Sequence, residues 1–250
     1  MRLMNPIVVI PARLASSRLP RKPLADIHGE PMVVHVWRRA LAAAVGPVVV
    51  ACGDAEIVAA ITQVRGNAVL TDPNLPSGSD RVMAAMRQLD PDGDFDVVVN
   101  LQGDFPTIDP QVLRQVLTPL ADPEVDIATL AVELHDPRSI ADPNAPKIAL
   151  ERHGNGNGST GRCLYFSRLP LHAGDGNVYE HLGIYAFRRR ALEAFVALPQ
   201  AGLEQVERLE QLRALAAGMR IDATIVHTFP LGVDTPADLE KARTLTVRPN

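Results

Sequence analysis

A chain of 250 residues, 46% of them hydrophobic, is long enough for one large α/β domain with a sizeable core. Its net charge of -4 argues against a nucleic-acid polymer as partner, because phosphate-backbone binders carry a broad basic face. No apolar run approaches the ~18 residues of a membrane span and no long apolar leader opens the chain, so the cytoplasm is the expected address.

In chain order, the short β-branched runs PIVVI (6–10), PVVVA (47–51) and DVVVNL (96–101) lack alternation, as expected of central parallel strands buried on both faces. The first runs into IPARLASSRLPRKPL (10–24), which gathers Arg13, Arg18, Arg21 and Lys22 in one turn. PMVVHVWRRALAAA then predicts a helix opened by Pro31, with Met32, Val33, Val36, Trp37, Ala40 and Leu41 on one face. Further helices are predicted at SDRVMAAMRQL and at DPQVLRQVLTPL, the latter with Asp109 as N-cap and Pro110 as first helical residue. From about 126 to 190 the pattern turns to strands (IATLAVEL, KIAL, RCLYFS, LGIYAF) and reads as a smaller β-rich lobe. LEQVERLEQLRALAAG predicts one long helix closed by Gly218, with Leu203, Val206, Leu209 and Leu212 as its apolar stripe, and TPADLEKART a terminal helix opened by Pro236. The expected fold is α/β: an open, doubly wound, mostly parallel sheet with an inserted β-rich lobe, all within a single domain over 1–250. Cys52 and Cys163 are far apart in sequence, without metal-ligand spacing, and read as reduced, buried fillers.

Two phosphate-loop signals fail on context. GNGSTG (156–161) fits GxGxxG, but strand-like sequence flanks it on both sides, so it reads as a hairpin loop rather than a dinucleotide fingerprint. There is no GxxxxGK[ST] and no Gly-x-Ser-x-Gly elbow. The basic loop is different, because ligands of open α/β sheets collect beyond the carboxyl ends of the strands. Arg13, Arg18 and Lys22 can surround a polyphosphate there, with Ser16 and Ser17 as neutral donors, although a basic loop taken alone also suits a solvated face. SGSDR (77–81) at a helix start and NLQGD (100–104), which ends the most apolar strand in Asp104, favour the ligand site. In LGVDTPADL, capping explains Thr235 and Asp238, but Asp234 stands one residue too early for that task. Asp104 and Asp234, beside cations that would hold phosphates, suit a hard cation such as Mg²⁺ whose shell substrate oxygens complete.

Together these motifs resemble the CMP-sugar-acid synthetases, and most closely the 3-deoxy-manno-octulosonate (KDO) cytidylyltransferase family. PARLASSRLPRKPL is similar to the family's PAR-x-x-S-x-R-x-P-x-K loop, SGSDR to SG[TS][ED]R, QGDFP to QGD-x-P and GVDTPADL to GVDTPEDL. LYFSR, HLGIYAF and LEQLR look like its sugar-acid segments. The resemblance implies a nucleotidyltransferase-type fold and cytidylyl transfer from CTP to KDO with Mg²⁺, releasing pyrophosphate, in a homodimer serving lipopolysaccharide biosynthesis. It further implies that Arg13, Ser16, Lys22, Ser77, Gly78, Arg81 and Gln102 bind the nucleotide, that Asp104 and Asp234 hold the metal, and that Arg13, Lys22 and the two aspartates are catalytic. Arg168, His181, Tyr185, Glu210 and Gln211 would bind the sugar acid. Taken without the resemblance, His181 and Tyr185 suit strand packing equally well, and Glu210 with Arg213 an ordinary surface pair.

Two departures stand out: Arg21 where the family has glycine, and Phe105 where it commonly has glutamate. After YFSR the family's Pro-Trp pair is replaced by a stretch containing His172. CMP-sialate synthetases, other nucleotide-sugar synthetases, glycosyltransferases and a non-catalytic nucleotide sensor are the rival readings.

Overall fold

The structure, a computed structural model, describes residues 4–16, 18–154, 159–171, 176–228 and 230–246. Two compact units divide the chain, one of Met1–Arg114 with Pro230–Asn250 and the other of Gln115–Phe229.

The first unit begins with β1 (Pro6–Ala12), a 3-10 turn over Lys22–Leu24, the hairpin β2 (Asp26–Ile27) and β3 (Glu30–Pro31), and α1 (Met32–Ala43). Then come β4 (Val48–Cys52), α2 (Ala55–Gln63), β5 (Asn67–Leu70), α3 (Gly78–Leu89), β6 (Val97–Asn100) and α4 (Pro110–Gln115). These strands lie in the order β5-β4-β1-β6, and every pairing is parallel. Val8, Val9, Val50, Val98 and Val99 are fully buried, which is why the three runs show no alternation. The order also puts the carboxyl ends of β1 and β6 side by side. On α1 the buried stripe takes in Met32, Val33, Val36, Ala40 and Ala43, leaving Leu41 exposed at its margin, contrary to expectation. The helix predicted from Asp109 is cut to six residues; Pro119 follows inside a 3-10 turn, Thr118–Ala121, because proline cannot donate to a continuing helix.

In the second unit β7 (Ile127–Leu134), α5 (Pro137–Ala141), β8 (Lys147–Arg152), β9 (Thr160–Ser167) and β10 (Val178–Arg188) precede α6 (Arg189–Ala197), α7 (Gly202–Glu207), α8 (Gln211–Ala216) and β11 (Ile221–Val226). The order β10-β7-β11-β9-β8 returns on itself, since β8 also pairs β10. Among the described residues of this unit only β7 and β11 run parallel, so the mostly parallel arrangement belongs to the first unit. β8 and β9 form an antiparallel pair, as the hairpin reading of 156–161 requires; residues 155–158 of its connection lie outside the described residues.

The predicted long helix over 203–218 is two helices. Arg208 takes the left-handed region (φ 56°) and ends α7, so the chain turns before α8. The supposed stripe is split accordingly: Leu209 and Leu212 are buried, whereas Leu203 and Val206 are exposed. Gly218 (φ 78°) closes α8 as expected. The chain then returns to the first unit with α9 (Pro236–Leu245). Cys52 and Cys163 are buried and free, and among the described residues no helix is long and apolar enough to cross a membrane.

Candidate active site

Three segments of the first unit converge at the ends of β1 and β6. Leu19 and Val233 enter one buried cluster with Ile27, Met32, Leu239 and Ala242, which fixes the positions of Lys22 and Asp234, each only a few residues along the chain. The Val233 N–H donates to the Asp104 carbonyl at 2.9 Å, tying the return segment to the end of β6. Gly103 eases the close approach of β1 beside it, since a Cβ there would stand 3.0 Å from the Pro11 carbonyl oxygen. At the start of α9, Thr235 Oγ1 accepts from the Asp238 N–H while the Asp238 carboxylate accepts from the Thr235 N–H, a capping box. Capping is thereby complete without the Asp234 side chain, which turns to the cations.

The result is a cavity of about 300 Å³ lined by Arg13, Ser16, Arg18, Lys22, Gln102, Asp104 and Asp234, among others. Lys22 Nζ donates to Asp104 Oδ2 at 2.8 Å and to Asp234 Oδ1 at 3.0 Å, and the Lys22 side chain is only 17% exposed. Arg18 reaches the same Asp234 oxygen at 3.1 Å. Burial pulls the Lys22 pKa down, but the Asp104 and Asp234 carboxylates outweigh it and the net shift is upward, so the ammonium stays charged. Arg13 is exposed and has no ion-pair partner among the described residues. Ser17 lies outside the described residues.

The remaining nucleotide candidates stand around this cavity rather than in its wall. Ser77 caps α3, its Oγ accepting from the Asp80 N–H and donating to the Asp80 carboxylate. Gly78 abuts Gln102, whose Oε1 would be 3.6 Å from an added Cβ. Arg81 is 2% exposed and points inward, donating to Thr71 Oγ1 and to the carbonyls of Asp72 and Pro73; it holds the chain that follows β5 and does not enter the cavity.

Three further residues shape the site without having been singled out in the sequence. Asn100 Oδ1 accepts from Gln102 Nε2 at 3.2 Å and orients that amide. Asp54 occupies the N-cap position of α2, yet its carboxylate takes the Leu14 N–H at 2.8 Å and so pins the loop after Arg13. At Gly53 a Cβ would meet Arg81 Nη1 at 3.0 Å and Arg13 Cβ at 3.1 Å, so the missing side chain lets both arginines close in. The signal was available: ACGD at the end of β4 repeats the strand-end carboxylate of NLQGD.

Arg21 is held by backbone and partner alike. Its φ of 56° is the left-handed conformation glycine adopts freely, and its guanidinium pairs with Glu56 on α2, away from the cavity. Arg21→Gly is therefore expected to keep activity within about twofold of wild type and to leave the melting temperature equal or higher, since relief at a positive φ offsets a solvent-screened ion pair. A scan of thermal unfolding together with a CTP titration checks this; a crippled Arg21→Gly enzyme would put the guanidinium on the phosphates.

In the second unit the structure brings His181, Tyr185, Glu210 and Gln211 together. Two residues, Gly183 and Ile184, bulge from β10 where it pairs β7. His181 Nε2 lies 3.0 Å from Thr129 Oγ1, Gln211 Nε2 lies 3.4 Å from His181 Nδ1, and the Tyr185 ring centroid is 5.3 Å from that of the imidazole. Tyr185, Glu210 and Gln211 share a small hollow with Phe187 and Phe195. Arg168 stands apart, donating to the carbonyls of Glu207, Arg208 and Pro143. The face of the predicted helix expected at the surface is partly interior: Arg213 makes a buried two-pronged contact with Glu204 (2.6 and 2.9 Å), and Gln211 is 4% exposed. The turn at Arg208 accounts for this, because it folds α8 back under α7.

Burial drives the His181 pKa down to about 3. The unfolded chain binds a proton there near pH 6.5 and the folded chain does not, so this group's cost is absent at pH 7 and grows as pH falls below 6.5. At pH 5 it amounts to about 2 kcal/mol. Glu180, pushed up to about 7 by burial, acts in the opposite sense over the same range, so the comparison must be with a variant. Between pH 7 and pH 5, His181→Gln is expected to lose about 2 kcal/mol less stability than wild type in urea unfolding; equal losses would mean that His181 is protonated in the fold.

Over residues 7–221 the chain matches the cytidylyltransferase family. A 3-deoxy-manno-octulosonate cytidylyltransferase of Paramagnetospirillum magneticum is 57% identical over 243 residues, 97% of this chain and 98% of that one. Another, from Methylorubrum populi, is 58% identical over 241 residues, 96% of each. A solved CMP:2-keto-3-deoxy-manno-octonic acid synthetase complexed with CTP superposes with a TM-score of 0.87 at 38% identity, over 96% of this chain and 98% of that one.

Proposed function

The chain belongs to the cytidylyltransferase family, and we propose that it transfers the cytidylyl group of CTP to the anomeric hydroxyl of KDO, giving CMP-KDO and pyrophosphate for lipopolysaccharide biosynthesis. One observation carries this reading: Lys22 meets both Asp104 and Asp234 in a cavity that Arg13 and Arg18 also line. Arg13, Arg18 and Lys22 bind the triphosphate, Ser16 adds a neutral donor, and Gln102, held by Asn100 beside Ser77 and Gly78, faces the nucleoside. The hydroxyl attacks the α-phosphate in line, its proton passing to solvent as the new P–O bond forms and the α-phosphate bond to pyrophosphate breaks, and the three cations neutralise the departing pyrophosphate. Among the described residues no three or more His, Cys, Asp or Glu side chains cluster as a closed metal site. The two carboxylates nevertheless suit a magnesium ion, because their hard oxygens converge on one ammonium. Bound by Asp104 and Asp234, that ion would acidify the attacking hydroxyl and offset charge developing at the α-phosphate.

His181, Tyr185, Glu210 and Gln211 are the proposed sugar-acid residues of a single nucleotidyltransferase domain, the first two within its lobe at about 126–190 and the last two at the start of α8. Arg168 contributes by fixing the turn between α7 and α8. The doubly wound character of the sheet is supported by β6 lying across β1 from β4 and β5. A homodimer fits the exposed Leu164, Leu169, Leu203 and Val206 of the second unit, and the cytoplasm is its proposed location.

A pyrophosphate-release assay tests the function. CTP with KDO and magnesium is expected to react at least tenfold faster than ATP with KDO, and chelation of the metal to abolish release. Equal rates with ATP, or a preference for sialic acid over KDO, would overturn the substrate assignment.

A further inference from the structure

Lys22 has two tasks that exclude one another. In the proposed reaction its ammonium sits on the triphosphate, yet here it binds Asp104 Oδ2 and Asp234 Oδ1, on the two carboxylates that would hold a divalent cation. Two carboxylates drawn to one point repel each other unless a cation lies between them, and Lys22, which bonds to both, is the side chain best placed to do so. Arg18 helps, but only at Asp234 and from a side chain that is 61% exposed. Lys22 is 17% exposed, so withdrawing it without a new acceptor would strand a largely desolvated ammonium. A triphosphate entering beside Arg13 and Ser16 supplies that acceptor.

We propose that the Lys22 ammonium is the resident counter-ion of the Asp104–Asp234 pair in the ligand-free protein and that its transfer to the triphosphate vacates the pair for the divalent cation. The inference rests on the reading of Asp104 and Asp234 as cation ligands. It makes metal and nucleotide binding mutually dependent: each favours the arrangement of Lys22 that the other needs, and the coupling is reciprocal. The free enzyme is thereby kept from holding a metal ion where no phosphate awaits it. Because Lys22 fills the gap, the two aspartates are also held in convergent positions before any ligand arrives, and the metal does not have to assemble its own site.

The test uses the full chain and two independent readouts. In calorimetric titrations without nucleotide, Lys22→Met is expected to bind Mn²⁺ at least tenfold more tightly than wild type, and Lys22→Arg, which keeps the charge, no more tightly than wild type. The second readout needs no substitution to be tolerated. The chain has three lysines, Lys22, Lys147 and Lys241, so ¹³C-lysine-labelled wild type gives three Cε resonances. Millimolar Mg²⁺ alone should leave that of Lys22 in place, and Mg²⁺ with CTP, in the absence of sugar acid, should move it. If Lys22→Met folds and binds Mn²⁺ no more tightly than wild type, the proposal falls while the metal reading stands. A Lys22 resonance that moves with Mg²⁺ alone, or stays fixed with Mg²⁺ and CTP, overturns it as well. If no form of the protein binds metal with or without CTP, the metal reading itself fails and takes the proposal with it.

Discussion

Asp104→Asn is expected to lower turnover about 100-fold or more, equivalent to about 3 kcal/mol of transition-state stabilisation, while leaving the fold intact. The amide keeps the shape of the side chain and can still accept from Lys22, and the backbone carbonyl of Asp104, which takes the Val233 N–H, is unaffected. What disappears is half of the negative charge that would hold a divalent cation. The loss should therefore appear in kcat rather than in the KM for KDO, whose proposed residues lie in the other unit. Unfolding temperature and turnover measured on the same preparation decide the matter. A variant with wild-type stability that turns over within a few-fold of wild type would remove Asp104 from the metal site.

Lys22→Ala should lower kcat about 100-fold and raise the KM for CTP about tenfold, with the KM for KDO changed less than about threefold. The kcat effect is the informative one. As the α-phosphate bond to pyrophosphate breaks, negative charge grows on the leaving group, and an ammonium there helps the transition state more than bound CTP. A lysine that served only to hold the loop would change KM alone. Steady-state titrations against both substrates separate the cases. If Lys22→Ala were the healthy enzyme and Arg21→Gly the crippled one, the assignment of residues within this loop would be wrong even though the family is right.

Strand ends proved far more legible than helix ends. Unbroken β-branched runs gave β1, β4 and β6 directly, because burial on both faces leaves no other pattern, and the rule that ligands gather beyond such strands led to Arg13, Lys22 and Asp104. Asp234 was legible from a misfit, a carboxylate one position too early to cap its helix. The break at Arg208 was not. Nothing in arginine's propensity announces a positive φ, and the periodicity over 203–218 continues smoothly through a turn that tertiary packing imposes. Arg81 shows the same limit from another side: a basic residue in a ligand-type motif carries no mark of whether it faces the ligand or, as here, three acceptors of its own chain. The closure of β8 onto β10 depends on register between distant segments, which local pattern does not encode.

The first unit is discontinuous, and that bears on the order in which a ribosome delivers its parts. Lys22 and Asp234 are 212 residues apart in the chain, with the whole of Gln115–Phe229 made between the two halves of the unit. Strands β1, β4, β5 and β6 can pair while synthesis continues, but until the return segment emerges Lys22 lacks the Asp234 carboxylate and Leu19 lacks Val233, Leu239 and Ala242 in its cluster. A nascent chain thus carries an open apolar face at Leu19, Ile27 and Met32, and the segment Val233 to Leu245 supplies both the second carboxylate partner of Lys22 and the missing cover at one stroke.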